Sequence, residues 1–450
     1  MTTEDISAVS RFYKNIFSNA GASALNSAVQ LLLILLLARW LPVEGFAIFL
    51  TATAVSAVGE IASDFGTRIW ATKRFAVSSQ PRQIFLYSIM AKALFSTVFL
   101  VLVLAVPLKM LDLTQTLLAV GIAATQPQSD PLIWYLRGKE RLDIEAVIVI
   151  SWKIASALII AALAFWGFGI SVLLSAWLTA NIIRGLSEWQ LDFLTPLKRG
   201  RAAFCMEELW QRVICEAFPI GLAFLLMALY QRLGVLLLGE ISDSSTVALY
   251  GAAFTLVASS GFMATSITVS SFAPLVKKIA QGDWDQTKRV IVRNLNLIMM
   301  VFLPACIVGG LIAPFAIWMV YPQHYLRAAI VVFALLPGLY ISTINFGLKY
   351  SLNALGLNWI DTLSAACGIV IFSAMLIVPE WGSLLEVSGW AWGAGELSIF
   401  LIKWFAISRD GRIKIRLWHH AAIFMSLSLL SLMLGGRYYE WIVHQGVFGG

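Results

Sequence analysis

Residues 37–76 read LARWLPVEGFAIFLTATAVSAVGEIASDFGTRIWATKRFA. The stretch has three parts. A short turn carries Arg39 and Glu44, an apolar run extends from residue 45 to residue 66, and a basic segment with Arg68, Lys73 and Arg74 closes it. A helix needs roughly 20 apolar residues to cross the hydrocarbon of a bilayer, so the run predicts a membrane span. Lys and Arg concentrate on the cytoplasmic side of such spans, so the basic segment predicts which end faces the cytoplasm.

The same unit recurs in both directions along the chain. Apolar runs at 16–38, 45–66, 84–107, 114–136, 144–166, 168–190, 213–238, 246–271, 293–320, 326–348, 359–378 and 386–406 predict twelve spans. A weaker run at 419–435, closed by Gly435, Gly436 and Arg437, reads as a thirteenth, with an interfacial helix as its alternative. Of the 450 residues, 59% are hydrophobic and 13% are charged, against about a quarter charged in soluble domains. The expected fold is therefore an all-α polytopic membrane protein of about twelve transmembrane helices, thirteen if 419–435 also crosses.

The basic residues alternate from gap to gap. One set of gaps holds Arg11 and Lys14; Arg68, Lys73, Arg74 and Arg82; Arg137, Lys139 and Arg141; Lys198, Arg199, Arg201 and Arg212. It continues through Lys277, Lys278, Lys288, Arg289 and Arg293, then Lys349, then Arg409, Arg412, Lys414 and Arg416. The other set holds only Arg39, Lys109 and Arg327. This asymmetry predicts a cytoplasmic N-terminus. It also accounts for most of the net charge of +7, which therefore does not point to nucleic acid. The first apolar run starts late and is too long for a cleaved signal, so it is expected to be a retained span.

Several function classes lack their signatures. Cys205, Cys215, Cys306 and Cys367 form no CxxC pair, and His324, His419, His420 and His444 form no HExxH. Neither a metal site nor a structural disulfide is expected. There is no GxxxxGK[ST] phosphate loop. The longest polar gaps (67–83, 191–212 and 272–292) all belong to the basic set, and no gap of the other set is long enough to fold as a domain. That argues against a membrane glycosyltransferase, polymerase or ligase, and the chain is expected to be neither an enzyme nor a carrier of a cofactor.

A faint internal repeat sets the domain expectation. Phe46-Ala47-Ile48-Phe49 opens the second span and Val247-Ala248-Leu249-Tyr250 opens the eighth, six spans later. Two parallel six-helix halves would give this. The expected lobes are 1–200 and 201–410, with 411–450 as a basic segment plus a marginal hydrophobic helix. Prolines inside spans (Pro127, Pro131, Pro219, Pro304, Pro314 and Pro337) each remove a helix hydrogen bond and predict kinks.

Polar residues within the spans nominate a site. Asn15, Asn19, Ser23, Asn26 and Gln30 lie along one face of the first span. Facing lipid, these amides would lack partners, so the stripe forms either a helix–helix seam or a cavity wall. Asn19, Asn26 and Gln30 are taken as cavity candidates. In the second span Asp64 and Arg68 can pair along the helix, whereas Glu60 lies deeper. Lys92 and Lys153 sit at similar depth in the third and fifth spans. Buried charges of this kind usually face a bundle interior or an aqueous cavity, so Glu60, Lys92 and Lys153 are grouped in one inner layer. Arg184, Glu188, Glu216 and Lys403, nearer the cytoplasmic surface, and Arg232, near the outer end of its span, read as interfacial anchors. In the second half Ser342, Asn345 and Lys349 form a short polar stripe, and Glu396 lies near mid-span. Gly389 and Gly393 make a GxxxG, which permits close helix packing. Glu60 and Glu396, the deepest carboxylates, are the ion-coupling candidates. Lys92, Lys153 and Asn345 join the amides as substrate-binding candidates, because cations grip phosphate and amides read hydroxyls.

Residues 37–76 resemble the opening of the Wzx-type polysaccharide-biosynthesis flippases. Glu44, Phe46, Phe49, Asp64 and Gly66 occupy the family's acidic-aromatic and acidic-x-Gly positions. Residues 246–275 resemble its Val-Gly-x-Tyr-x-Ala-Ala segment through Tyr250, Ala252, Ala253 and Pro274. Residues 303–330 resemble it through Pro304, Pro314 and Tyr325-x-x-Ala-Ala. Ala47 and Ala248 depart from the family's usual Gly. The resemblance implies the multidrug/oligosaccharidyl-lipid/polysaccharide exporter superfamily, with two six-helix lobes around a central cavity and alternating access. It implies a flippase that moves an undecaprenyl-pyrophosphate-linked oligosaccharide across a bacterial cytoplasmic membrane for surface polysaccharide or lipopolysaccharide assembly. Its partners would be the lipid-linked oligosaccharide, membrane lipids, H+ or Na+ and a polysaccharide polymerase machinery. A cation-coupled drug or small-molecule antiporter of the same superfamily is the alternative. It would want an acidic cavity, whereas the deep first-half charges include Lys92 and Lys153.

Overall fold

A computed structural model describes residues 24–78, 80–106, 108–139, 141–191, 209–261, 281–378, 383–409 and 418–444, with positions 21, 197, 207, 264, 267–268 and 275–279 between them. All regular structure among the described residues is helical. The helices are α1 (Ala24–Trp40), α2 (Val43–Asp64), α3 (Thr67–Val77), α4 (Pro81–Ala105), α5 (Leu113–Thr125), α6 (Pro131–Gly138), α7 (Leu142–Phe165) and α8 (Ile170–Trp189). Then follow α9 (Cys215–Ile241), α10 (Ser244–Ala258), α11 (Trp284–Val320), α12 (Ala328–Ala354), α13 (Asn358–Ile377), α14 (Leu384–Arg409) and α15 (Trp418–His444). Among the described residues nine of these segments are long and apolar enough to cross a membrane, including Trp418–Gly435 at the weak thirteenth run. The protein is an all-α polytopic membrane protein. It divides into two compact units, Met1–Arg232 and Leu233–Gly450, and the division falls within α9.

In the first unit α2 packs on α4 and α5, and α5 packs on α8. Phe46, Ala47 and Phe49 are fully buried at the start of α2. Val247, Ala248 and Tyr250 are buried at the start of α10. Each tetrapeptide begins at the fourth residue of its helix (43 to 46, 244 to 247), so the repeat keeps its register in the structure. The Asp64-Phe65-Gly66 motif has a local cause. Phe65 (φ 37°) and Gly66 (φ 83°) are both left-handed and end α2. Asp64 Oδ1 accepts the Gly66 N–H at 3.1 Å and fixes the turn. A Cβ on Gly66 would lie 2.5 Å from the Ala217 carbonyl and 2.7 Å from the Gly221 N of α9. Glycine is needed both for its dihedral freedom and for this backbone approach.

The fourth apolar run is not one helix. α5 stops at Thr125, a 3-10 turn covers Pro127–Ser129, and α6 starts at Pro131 with Asp130 as its N-cap, accepting the Leu132 N–H at 2.9 Å. The two prolines remove donors from the ladder, as the sequence predicts.

In the second unit α12 is almost wholly buried and is packed by α10, α11, α14 and α15. The GxxxG of α14 forms the tightest seam. A Cβ on Gly389 would lie 2.5 Å from Ala334 Cβ, and one on Gly393 would lie 3.7 Å from Gly338 Cα. α15 is fastened to α12 by the buried His420, whose Nδ1 shares a 2.8 Å hydrogen bond with the Tyr340 hydroxyl. Outside the spans, Asp243 caps α10. Hydrogen bonds from Thr246 hold its carboxyl below the usual carboxylate range.

Candidate functional site

Glu60 is on α2, within electrostatic range of Arg68, Lys153 and Lys92, with Asp64 as a like charge. Lys153 on α7 is in range of both Glu60 and Arg232, and Arg232 on α9 is in range of Glu60. Lys153 Nζ donates to Gln30 Oε1 of α1 at 2.5 Å and lies 5.8 Å from the centre of the Trp177 ring of α8. Glu60, Lys92, Lys153 and Gln30 are only part-buried, and Arg232 is exposed, although protein surrounds the charged groups. Groups that are surrounded yet accessible line a recess. This one lies within the first unit, walled by α1, α2, α4, α7 and α9.

The recess is cationic. Arg68 is balanced by Asp64, its Nε 3.5 Å from Oδ2. That leaves Lys92, Lys153 and Arg232 against Glu60, and among the described residues none of these four groups is in an ion pair. The expected pairing of Glu60 with Lys92 therefore does not form. Lys92 Nζ instead donates to the Ser129 carbonyl at 2.5 Å.

That bond belongs to a second network, built around the break between α5 and α6. Arg184 of α8 is buried and donates to the Thr125 carbonyl at 3.0 Å, to Asp130 Oδ2 at 3.1 Å and to Glu188 Oε1 at 2.7 Å. The break frees carbonyls that the helix ladder would have bonded, and in a membrane such groups must find partners inside the protein. Arg184 and Lys92 supply them. The reading of Arg184 and Glu188 as interfacial anchors is thus corrected: both are buried, because the broken span offers acceptors that only a cation can satisfy at once. Lys403 is corrected in the same way. It is fully buried on α14, 2.6 Å from Asp361 Oδ1 of α13, while Lys349 approaches Asp361 Oδ2 at 3.6 Å. Glu216 remains at the surface, with Arg74 3.3 Å away.

In the second unit Asn345 Nδ2 donates to Glu396 Oε2 at 2.8 Å and to the Glu396 carbonyl at 2.9 Å. Both residues are buried, and the Ser342 side chain bonds the same carboxyl. Of the amide candidates, Asn26 is exposed on α1, Gln30 is in the recess, and Asn19 lies outside the described residues. Sequence reasoning passed over Trp177, Asp130 and Asp361, and placed Arg232 too far from Glu60. The i, i+4 spacing of Arg184 and Glu188 and the Pro-x-x-Asp-Pro pattern at 127–131 were the available signals.

Three comparisons bear on this arrangement. A family profile described as "Polysaccharide biosynthesis protein" matches residues 12–280. A curated relative, "Probable flippase AglR" of Haloferax volcanii, is 24% identical over 208 residues, which are 44% of this chain and 42% of that protein. The match thus spans less than half of the relative's length. Among solved structures, "Lipid II flippase MurJ, inward closed conformation" superposes with a TM-score of 0.66 at 13% identity, covering 95% of this chain and 97% of that one. The MATE transporter VcmN of Vibrio cholerae superposes with a TM-score of 0.56 at 13% identity, covering 91% and 99%. At such identities these two likenesses concern the fold.

Proposed function

Because the chain belongs to the polysaccharide biosynthesis protein family, we propose that it is a flippase that moves a pyrophosphate-linked oligosaccharide lipid across a bacterial cytoplasmic membrane by alternating access. The observation that carries this reading is the recess of the first unit. It sets Lys92, Lys153 and Arg232 against a single unpaired carboxylate, Glu60. A pyrophosphate is a multiply charged anion, and its contacts with cations strengthen when water is partly excluded. Gln30 adds an amide beside Lys153, of the kind that reads sugar hydroxyls. A transporter of cationic drugs needs the opposite charge balance.

Glu60 and Glu396 are the groups proposed to couple transport to H+ or Na+. Glu60 is free of ion pairs and faces the recess, so it can exchange partners during a cycle. Glu396 is enclosed by Asn345 and can change state only with that contact.

The test is translocation in proteoliposomes. Purified protein should expose a labelled undecaprenyl-pyrophosphate oligosaccharide to a lectin in the opposite compartment and should not exchange ethidium. An imposed H+ or Na+ gradient should accelerate this in the unmodified protein and not in Glu60→Gln/Glu396→Gln. Ethidium exchange without glycan movement would refute the flippase reading in favour of a drug antiporter. A gradient response that survives in the double variant would refute coupling through these residues.

The orientation we propose puts the N-terminus in the cytoplasm. Single cysteines at Asp112 or Gln323 should label from outside intact cells, and those at Lys198 or Asp285 should not. The reverse pattern would invert the topology.

A further inference from the structure

α11 carries a binding groove that the transport reading does not use. The helix has 37 residues, about 55 Å at 1.5 Å per residue. That is far longer than the roughly 30 Å hydrocarbon core, so part of it must stand outside the core. The exposed face shows which part. Lys288, Arg289, Arg293 and Asn296 are exposed at the amino-terminal end. Below them the same helix exposes Leu297 (43%), Met300 (69%), Leu311 (64%) and Phe315 (60%), and then Trp318 (57%). From Leu297 to Trp318 is roughly 30 Å along the axis, the thickness of the hydrocarbon, with Trp at the far boundary where interfacial aromatics sit. The change from cations to apolar side chains therefore places Lys288, Arg289 and Arg293 at the headgroup level.

A cavity of about 510 Å³ opens at this boundary. Lys288, Arg289, Arg293 and Asn296 line its polar end, and Val292, Leu297 and Met300 line its apolar end. Among the described residues none of the three cations is in an ion pair. Arg289 Nε reaches only the Asp285 carbonyl, at 3.4 Å. Of the two nearby carboxylates, Asp283 is committed to capping the helix through the Gln286 N–H at 3.0 Å, and Asp285 is exposed in the first turn. The amino-terminal end of a helix already carries a positive partial charge, so three cations within its first three turns repel it and one another. An anion in the groove relieves that repulsion. The positive-inside rule accounts for cations at this end of a span, but not for their convergence on one cavity continuous with an apolar wall.

We propose that this groove binds an anionic membrane phospholipid, with its phosphodiester on Lys288, Arg289 and Arg293 and its acyl chains along Val292, Leu297 and Met300. A free phosphate would leave the apolar wall unused, and a zwitterionic lipid would compensate only part of the charge. The proposal is independent of what the protein carries.

The test uses the full chain, delipidated in detergent, with phosphatidylglycerol or phosphatidylcholine added and bound lipid counted by native mass spectrometry. Lys288→Gln/Arg289→Gln/Arg293→Gln should weaken the first phosphatidylglycerol on the order of tenfold to a hundredfold, from the usual worth of basic residues near anionic lipid. It should leave phosphatidylcholine unchanged. A charge-matched control, Lys73→Gln/Lys277→Gln/Arg409→Gln, removes exposed cations from three other places and should change binding by about twofold or less, as scattered exposed charges do. If the triple variant is not monodisperse, Arg293→Gln alone gives the readout. Equal weakening by both triples would mean diffuse surface charge and overturn the proposal, as would no weakening. Displacement of phosphatidylglycerol by millimolar inorganic phosphate, or one-for-one by a pyrophosphate-linked carrier lipid, would assign the groove to another ligand and also overturn it.

Discussion

Arg184→Ala is expected to destabilise the first unit by roughly 3–5 kcal/mol, as removing one partner of a buried ion pair does. The side chain is 2% exposed and reaches Glu188 (3% exposed) and Asp130 (15%). It also donates to the Thr125 carbonyl at the break between α5 and α6. Alanine would leave two carboxylates and a backbone carbonyl inside the protein without their donor. Arg184→Lys should recover only part of the loss, because an ammonium cannot present the planar fork that meets several acceptors together. Arg184→Leu/Glu188→Leu should cost less than Arg184→Ala, because it removes charges of both signs. The measurement is the unfolding midpoint of purified protein in detergent, together with the amount inserted in membranes. A midpoint within a degree or two of the unmodified protein would show that the network does not hold the broken span.

Lys153→Ala should reduce glycan export per inserted molecule by about tenfold or more, the loss expected when a charge-assisted hydrogen bond of on the order of 1–3 kcal/mol is removed. Lys153 is part-buried in the recess, where its only hydrogen bond is to Gln30, a neutral group, at 2.5 Å. An arriving anion can therefore displace a neutral partner rather than an ion-paired one. Arg232→Ala should act in the same direction, and the double variant should fall below either single. Lys153→Arg should be milder than Lys153→Ala, though not neutral. Lys92→Ala should differ in kind. Its ammonium holds the Ser129 carbonyl, so the main loss should be in the quantity of folded protein. Unchanged export per molecule in Lys153→Ala/Arg232→Ala would remove the recess from the cargo path. A loss of inserted protein with normal activity per molecule would make both residues structural.

Much of the fold was legible in the sequence for a local reason. Whether a segment crosses a membrane depends on the summed transfer energy of its own side chains, so each apolar run reports itself. Helices occupy the described parts of the twelve runs and the weaker run at 419–435. The broken fourth span was partly legible through Pro127 and Pro131, because proline acts on its own helix turn. The Asp64-Phe65-Gly66 turn was visible as a motif. Its second cause, the approach of α9 at Ala217 and Gly221, was not.

The candidate site divides in the same way. Glu60, Lys92 and Lys153 could be placed in one layer by depth, since depth follows from position along a span. Which group holds which could not, because the deciding contacts join residues far apart in the chain. Lys153 meets Gln30 across 123 positions, Asn345 meets Glu396 across 51, and Lys92 meets Ser129 across 37. Arg184 and Glu188 show the limit most clearly. Their spacing places both on one helix face, but a cation near the end of a span looks the same in sequence whether it reaches the headgroups or turns inward. Hydropathy is a property of each segment alone and so determined the spans. The pairing of charges depends on which helix faces meet, and only the tertiary structure decided that.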